Sequence, residues 1–209
     1  MNHFSSHILM VYPKNFRSNV LTIDDNTFQK SSSNLSNNEI KNKAVEEFEL
    51  LYNKIQSQGI KVTVFKDSRN VDTPDAVFPN NWISFHKDNK AITYPMFAKN
   101  RRLERTPLVI ECLNNYGKNI SIDYDYSNFE NDNLFLEGTG SLVLDRLNKI
   151  AYCSLSQRSN EELVNRFCID MGYNPVVFKS YHQNKPIYHT NVLLSICNKF
   201  SVVCLESII

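Results

Sequence analysis

The sequence has little imbalance of charge and no long apolar run. Its 209 residues carry 23 Lys or Arg and 22 Asp or Glu, a formal net charge of +1. A balanced charge gives no reason to expect nucleic acid or a membrane surface as a partner. No apolar stretch approaches membrane-spanning length, and the N-terminus lacks a charged segment followed by an apolar one. These absences favour a cytoplasmic protein.

The cysteines are scattered rather than paired in motifs. None of the five has C-x-x-C spacing, so neither a disulfide framework nor a zinc site is indicated. Free thiols in a reducing compartment are the simpler interpretation. Cys153 and Cys204 each lie within an apolar predicted strand, and we expect both to be buried core thiols.

The first part of the chain predicts a strand, a loop, a helix and a second strand. The strands are expected at His7–Tyr12 and Lys61–Phe65, and a polar loop over 24–38. Ser36-x-x-Glu39 matches a capping box, and apolar residues follow it at helical spacing.

After residue 75 a strand–strand–helix–strand pattern repeats. We expect one α/β domain over 1–209, with repeat units at approximately 75–125, 134–180 and, in part, 188–209. Each unit opens with a predicted hairpin: Trp82–His86 with Ala91–Pro95, Ser141–Asp145 with Ile150–Leu155, and Val192–Ile196 with Phe200–Leu205. Helices are predicted near Arg102–Tyr116 and at Asn160–Met171, the second with a capping box at Ser159-x-x-Glu162.

A polar cluster precedes each predicted hairpin at the same position of the unit. The clusters are 78–81, 136–140 and 188–191. If the units pack around a pseudo-symmetry axis, a carboxylate, an imidazole and several carboxamides meet in one pocket. Such a composition is typical of a small-molecule active site.

Within the three clusters, Glu137 and His189 are the candidates for accepting and donating a proton. Glycines beside Glu137 allow a ligand to approach closely, although a surface glutamate ahead of a turn explains the same pattern. His189 and Asn191 are two residues apart, so in a strand they would share a face. A structural, hydrogen-bonded histidine is the alternative.

Carboxamides and arginines are the other binding candidates. Asn80 and Asn81 follow a proline and offer donors and acceptors, yet Pro-Asn-Asn is also ordinary turn chemistry. Arg105, in a cluster with Arg101 and Arg102, is able to hold a substrate carboxylate. The alternative is a polar helix start paired with nearby glutamates. The sequence does not decide the role of the three arginines.

Taken together and in order, the three clusters resemble the amidinotransferase (guanidino-group-modifying) superfamily, most closely its citrulline-utilisation hydrolases. The stretches are Phe-Pro-Asn-Asn-Trp at 78–82, Leu-Glu-Gly-Thr-Gly at 136–140 and Tyr-His-Thr-Asn-Val at 188–192. The resemblance implies a pentein-type α/β propeller of ββαβ units. The last unit of that fold would be missing here, so we expect a truncated chain.

The resemblance also implies covalent chemistry on a small-molecule substrate. A cysteine attacks the central carbon of a guanidinium or related group, and water hydrolyses the covalent intermediate. Glu137 would orient the substrate and His189 would act as acid and base, with Asn81 and Asn191 lining the pocket. No metal or organic cofactor is implied, because side chains and water suffice.

Substrate and activity are the points that the resemblance leaves to be tested. Carboxamides replace the aspartates of arginine-processing relatives, which favours citrulline or a related neutral ureido compound over arginine. None of the five cysteines has the glycine-rich context of the family's nucleophile. The hypotheses are therefore a C–N hydrolase that lacks its cysteine, or a non-catalytic binding protein or inactive fragment. A homo-oligomer is compatible with either.

Overall fold

Short strands alternate with helices along the chain. The computed structural model describes residues 5–26, 28–29 and 34–209. Helices in that part of the chain are α1 (Asn37–Ser57), α2 (Lys99–Arg102), α3 (Pro107–Asn115), α4 (Gly138–Ser141) and α5 (Glu161–Met171). Strands there are β1 (His7–Val11), β2 (Lys61–Phe65), β3 (Ile83–Phe85), β4 (Lys90–Thr93), β5 (Ser121–Asp125), β6 (Leu142–Asp145), β7 (Ile150–Ser154), β8 (Asn174–Phe178), β9 (Tyr181–His182), β10 (Lys185–Pro186), β11 (Leu194–Ile196) and β12 (Ser201–Val203).

The first unit is a parallel β–α–β arrangement. Strands β1 and β2 pair in parallel, and α1 connects them. The predicted capping box is present: the Ser36 hydroxyl accepts from the Glu39 amide, and the Glu39 carboxylate accepts from the Ser36 amide. Five residues of the predicted 24–38 loop, 27 and 30–33, lie outside the described residues.

The next two units have the predicted ββαβ order. In one, β3 is antiparallel to β4, and β4 is parallel to β5 with α3 between them. In the other, β6, β7 and β8 repeat the same pairings around α5. A helix must cross over to place β5 parallel to β4, and likewise β8 parallel to β7. The order of strands and helix in both segments is therefore the one that the hydrophobic pattern predicts.

The last hairpin is shorter and more exposed than the sequence predicts. Strands β11 and β12 form a two-stranded antiparallel sheet, and β12 ends at Val203. Val202 is 60% exposed and Leu205 is 68% exposed. Cys204 is exposed too and contacts Glu206 and Ser207, so the expectation of a buried thiol there is wrong.

The cap of α5 also differs from the predicted one. Asn160, not Ser159, is the N-cap, and its side-chain oxygen accepts from the amides of Glu162 and Leu163. The Ser159 hydroxyl instead donates to the hydroxyl of Ser141 at 2.7 Å. The predicted Ser159 cap is therefore wrong: the hydroxyl of Ser159 is engaged by Ser141, and Asn160, also a favoured capping residue, takes the position.

Two buried clusters hold the sheets in place. One lies mainly between the sheet of β6–β8, α5 and β4, and includes Ile92, Tyr94, Leu142 and Phe167. The other joins the first unit to the sheet of β3–β5 and includes Val11, Phe65, Trp82, Ile83 and Val109. Among the described residues, no helix is both long enough and apolar enough to cross a membrane.

Candidate active site

The three polar clusters form three short turns that pack together. They are the 3-10 turn Pro79–Asn81, helix α4 and the 3-10 turn Thr190–Val192. The Thr190 hydroxyl donates to the Ser141 carbonyl at 2.5 Å, and the Thr139 hydroxyl donates to the Asn80 carbonyl at 3.4 Å. The structure thus brings together the clusters that the repeat pattern predicted to converge.

Two glycines make this close packing feasible. Gly138 has φ +43°, and a Cβ there would come 2.3 Å from the Asn80 carbonyl oxygen. A Cβ on Gly140 would come 2.3 Å from Asn81 Nδ2 and 2.7 Å from His189 Nδ1. The glycines therefore admit protein groups from the neighbouring turns, in addition to any role in admitting a ligand.

Glu137 is a fully buried carboxylate at the start of α4. It accepts hydrogen bonds from His189 Nε2 at 2.8 Å, the Phe97 amide at 3.0 Å and Arg158 Nη1 at 3.4 Å. Burial alone would raise the pKa of Glu137, but the His189 hydrogen bond and the charges around it, Arg158 and Arg101 among them, lower that pKa to about 2. Glu137 is thus ionised at neutral pH.

His189 is a buried imidazole whose tautomer follows from its partner. Burial lowers the pKa of His189 below 6.5, although the hydrogen bond to Glu137 opposes the shift. An ionised carboxylate has no proton to donate, so Nε2 carries the hydrogen that binds Glu137. In the neutral ring the lone pair is then on Nδ1. The pair is equipped to accept a proton there and to return it.

His189 and Asn191 both line a cavity of about 200 Å³, but not for the predicted reason. The expected strand face is wrong, since residues 190–192 form a 3-10 turn and β11 begins only at Leu194. Asn80 and Asn81 lie on the same wall. Glu137 is not part of the wall, but it is hydrogen-bonded to His189, which is.

Arg101 is a wall residue whose role the sequence left undecided. Its buried guanidinium pairs with Glu104 at 2.9 and 3.0 Å and donates to Asn81 Oδ1 at 2.7 Å. Burial raises the pKa of Glu104 to about 7, although the positive charge of Arg101 acts to lower it. The cluster of arginines was the signal that pointed to this position.

Arg158 is a second arginine on the cavity wall, and no local motif marks it. Its guanidinium forms a two-pronged pair with Asp25 at 2.6 and 2.5 Å and lies over the Tyr188 ring at 4.7 Å. Asp25 belongs to a segment that also places Thr22 on the wall. The partners are 133 residues apart, so no local pattern joins them.

Arg105 and Arg102 lie outside this cavity. Arg105 pairs with both carboxylate oxygens of Glu130, at 2.9 and 3.0 Å, and donates to the Tyr94 carbonyl. Arg102 donates to the Met96 carbonyl. These contacts fix the chain before α3. The structural alternative expected nearby Glu104 and Glu111 as partners, whereas the partner of Arg105 is Glu130, 25 residues away.

None of the five cysteines lies on the cavity wall. Cys153 is buried, as expected, and burial raises the pKa of its thiol to about 12. Burial likewise raises the pKa of Cys168 to about 11. Within the described residues, no group of three or more His, Cys, Asp or Glu is placed to hold a metal ion.

Solved structures similar to this chain share its fold at low sequence identity. The N-terminal domain of ArgZ bound to substrate, from an arginine dihydrolase of the ornithine–ammonia cycle in cyanobacteria, has a TM-score of 0.73 and 15% identity; the match covers 97% of this chain and 68% of that one. AgrE with ornithine and NAD+ has a TM-score of 0.70 and 18% identity, covering 98% and 28%.

A third similar structure is dimethylarginine dimethylaminohydrolase in an adduct with S-methyl-L-thiocitrulline. Its TM-score is 0.56 at 18% identity, and the match covers 87% of this chain and 63% of that one. These likenesses establish the α/β pentein fold that the sequence predicted.

The family comparison matches almost the whole chain. The model of eukaryotic N,N dimethylarginine dimethylhydrolase matches residues 12–209, which include all three turns of the site. No curated protein sequence matches. The chain belongs to the N,N-dimethylarginine dimethylhydrolase family, within the pentein amidinotransferase superfamily.

Proposed function

We propose that this chain binds an amino acid whose side chain ends in a guanidino or ureido group, in the site at which its family hydrolyses C–N bonds. The observation that carries the proposal is the buried pair of ionised Glu137 and neutral His189 beside a cavity walled by Arg101 and Arg158. On the wall, the lone pair of His189 Nδ1 accepts from an N–H group, and an arginine binds a carboxylate. A substrate with N–H groups at one end and a carboxylate at the other fits both.

The chemistry of the relatives supports the same substrate class. Dimethylarginine, arginine and S-methyl-L-thiocitrulline, which appear in their names, are all α-amino acids with a guanidino-type end. For this chain, Glu137 would act on that end through its hydrogen bond to His189, and His189 Nδ1 would exchange a proton with it.

Within this class we propose a neutral, citrulline-like substrate ahead of arginine. Arg158 and Arg101 lie 3.4 and 3.9 Å from the Glu137 carboxylate and already offset its charge. The carboxamides on the wall, Asn80, Asn81 and Asn191, are uncharged, and the one carboxylate in the lining, Asp75, accepts from Asn19 at 2.6 Å and lies 3.8 Å from Arg101. Because Glu137 lies off the wall and Asp75 is already engaged, a cationic guanidinium would lose hydration without a new carboxylate partner to replace it.

We also propose that catalysis in this family site is covalent and that the 209 residues bind substrate without turnover. All five cysteines lie off the cavity wall, which supports binding without turnover because no thiol is placed to attack a bound substrate. The same observation favours the second candidate, a binding protein of the family that performs no chemistry.

Calorimetric titration with citrulline, arginine and norvaline, which lacks the terminal group, tests the proposal. We expect citrulline and arginine to bind and norvaline to bind at least about tenfold more weakly, since norvaline has no terminal N–H group to donate to His189 Nδ1. Ammonia release from citrulline is expected to stay at the background level. Equal binding of all three would contradict the proposed substrate class, and ammonia release would contradict binding without turnover.

A further inference from the structure

A second cavity lies beside the Pro79–Asn81 turn, apart from the candidate active site. Its volume is about 560 Å³, and among the described residues only Asn80 lines both cavities. Strands β1 and β3 provide its apolar side chains, which are Ile8, Leu9, Ile83 and Phe85. The cavity is therefore a separate space with two partly apolar walls.

The polar side chains of this second cavity are cationic or neutral. Arg146 and Lys87 line it together with His7 and His86, and none of its described lining residues is Asp or Glu. Asp88, which follows Lys87 in the chain, is not part of the lining. The walls therefore offer positive charge without a carboxylate to offset it.

An adjoining cavity of about 230 Å³ extends the positive region. It shares His7 with the second cavity and adds Lys118 and Lys90 to the lining. Lys90 is paired with Asp123 at 2.9 Å, which leaves Lys118 as the added charge. Burial lowers the pKa of His7, and the charges of Lys118 and Lys61 lower it further, as expected where positive charge is in excess.

Arg146 has an imidazole, rather than a carboxylate, as its polar partner. Its Nη1 lies 3.4 Å from His86 Nδ1, and no ion pair joins it to a carboxylate among the residues that the structure describes. The carboxylate of the preceding Asp145 accepts from the amides of Leu147 and Asn148. Burial lowers the pKa of His86 to about 3, and the charge of Arg146 lowers it too, so the ring is neutral at pH 7. The contact therefore leaves the charge of Arg146 uncompensated.

Two buried hydroxyls fix the His86 ring and, through it, Arg146. A guanidinium has only N–H donors, so Nδ1 is the acceptor and Nε2 carries the hydrogen that binds Ser84 Oγ at 2.7 Å. Ser84 Oγ lies 2.6 Å from the Tyr94 hydroxyl, and both residues are buried. The guanidinium is thus held at the cavity before a ligand binds, which reduces the cost of ordering it.

We propose that the second cavity is a binding site for an organic phosphate, with the phosphate on Arg146 and Lys87 and an uncharged body against the apolar side chains of β1 and β3. A guanidinium binds two phosphate oxygens at once, and a phosphate monoester carries a charge of about −1.5 to −2 at pH 7. Two cations without a carboxylate beside them match that charge better than the single charge of a carboxylate ligand. This inference does not depend on the function proposed for the active site.

Calorimetric titration of the chain with phenyl phosphate, benzoate and phenol tests the ligand class. We expect phenyl phosphate to bind at least about fivefold more tightly than benzoate, and phenol to show no detectable binding. Benzoate binding as tight as that of phenyl phosphate, or tight binding of phenol, would overturn the assignment to a phosphate.

Arg146→Gln, with Arg166→Gln as its matched control, tests the place of binding. Both variants remove one guanidinium, but Arg166 lies on α5, pairs with Asp170 and has a side chain that is 59% exposed. We expect Arg146→Gln to weaken phenyl phosphate binding at least about tenfold, and Arg166→Gln to change it by less than about twofold. Equal losses in the two variants would reveal a general charge effect and overturn the site.

Lys87→Gln and the amide spectrum keep the test decisive if Arg146→Gln does not fold. Lys87 is exposed, so its substitution should leave the fold intact and weaken phenyl phosphate binding at least about threefold. In the ¹⁵N-labelled wild type, phenyl phosphate should shift the amides of 84–87 and 145–147. Unchanged affinity in Lys87→Gln, or shifts confined to 188–191 near Arg158, would overturn the proposal.

Discussion

At the scale of residues, the space beside Gly140 decides whether the site assembles. A Cβ at this position would overlap Asn81 Nδ2 and the His189 ring. We expect Gly140→Ala to abolish detectable ligand binding and to cost ~1–3 kcal/mol of unfolding free energy, because two buried side chains must shift. Titration and chemical denaturation measure the two effects.

Gly59→Ala is the matched control for that substitution. Gly59 has φ +76° and no heavy atom within 4 Å of an added Cβ, so alanine there strains the backbone without touching the site. Ligand binding should be unchanged. Normal binding by Gly140→Ala would contradict the packing described for the three turns.

The ionised state of Glu137 predicts a pH dependence of stability. Its folded-state pKa of about 2 lies below the ordinary value of 4.5, so the stabilisation is full above pH 4.5 and is lost as the pH falls towards 2. The contribution is on the order of 3 kcal/mol. Denaturation between pH 7 and 2 should show this loss, and Glu137→Gln should remove most of it. An identical pH profile in the two proteins would contradict an ionised Glu137.

Sequence reasoning found the residues of the site that local motifs mark. Glu137, His189 and Asn81 belong to clusters that recur at one place in the repeat, and all three meet in the structure. Arg158 was missed because its partner Asp25 is 133 residues away and neither has a local motif. Long-range ion pairs leave no periodic trace in a single sequence.

At the scale of elements, a largely buried ion pair helps to tie the segment around Asp25 to the site. Arg158 is 2% exposed and Asp25 is 15% exposed. Removing one partner of a buried pair leaves an uncompensated charge, so we expect Asp25→Asn to cost about 3 kcal/mol. Hydrogen exchange at Asn19–Asn26 should also accelerate.

Asp72→Asn is the control for Asp25→Asn. Asp72 pairs with Arg17 through two bonds of 2.7 Å, but its side chain is 61% exposed. Exposed pairs contribute about 0–1 kcal/mol, so this variant should unfold almost as the wild type does. Equal costs for the two variants would show that the Asp25 pair is not effectively buried.

The elements themselves were largely predictable from periodicity. Strand β2 has the predicted bounds, and the sheets of β3–β5 and β6–β8 have the predicted order. The errors lie where tertiary contacts override local pattern. Ser159 bonds to Ser141 instead of capping α5, and Cys204 stays exposed because β12 ends before it.

At the scale of the whole molecule, an open groove runs along the first unit. Helix α1 has no buried residue, although its apolar face was predicted from helical spacing. Ile40, Phe48 and Leu51 line a groove of about 590 Å³ together with residues of β1.

The cytoplasmic location and the oligomeric state remain predictions from the sequence, as does the division into repeat units.

The central claim is that three distant turns form one site for a guanidino or ureido amino acid. The most direct measurement is the amide spectrum of the ¹⁵N-labelled chain during titration with citrulline. We predict saturable shifts concentrated in 79–81, 137–141 and 189–191, because these turns surround the cavity. Shifts confined to another surface, or none at millimolar citrulline, would contradict the account.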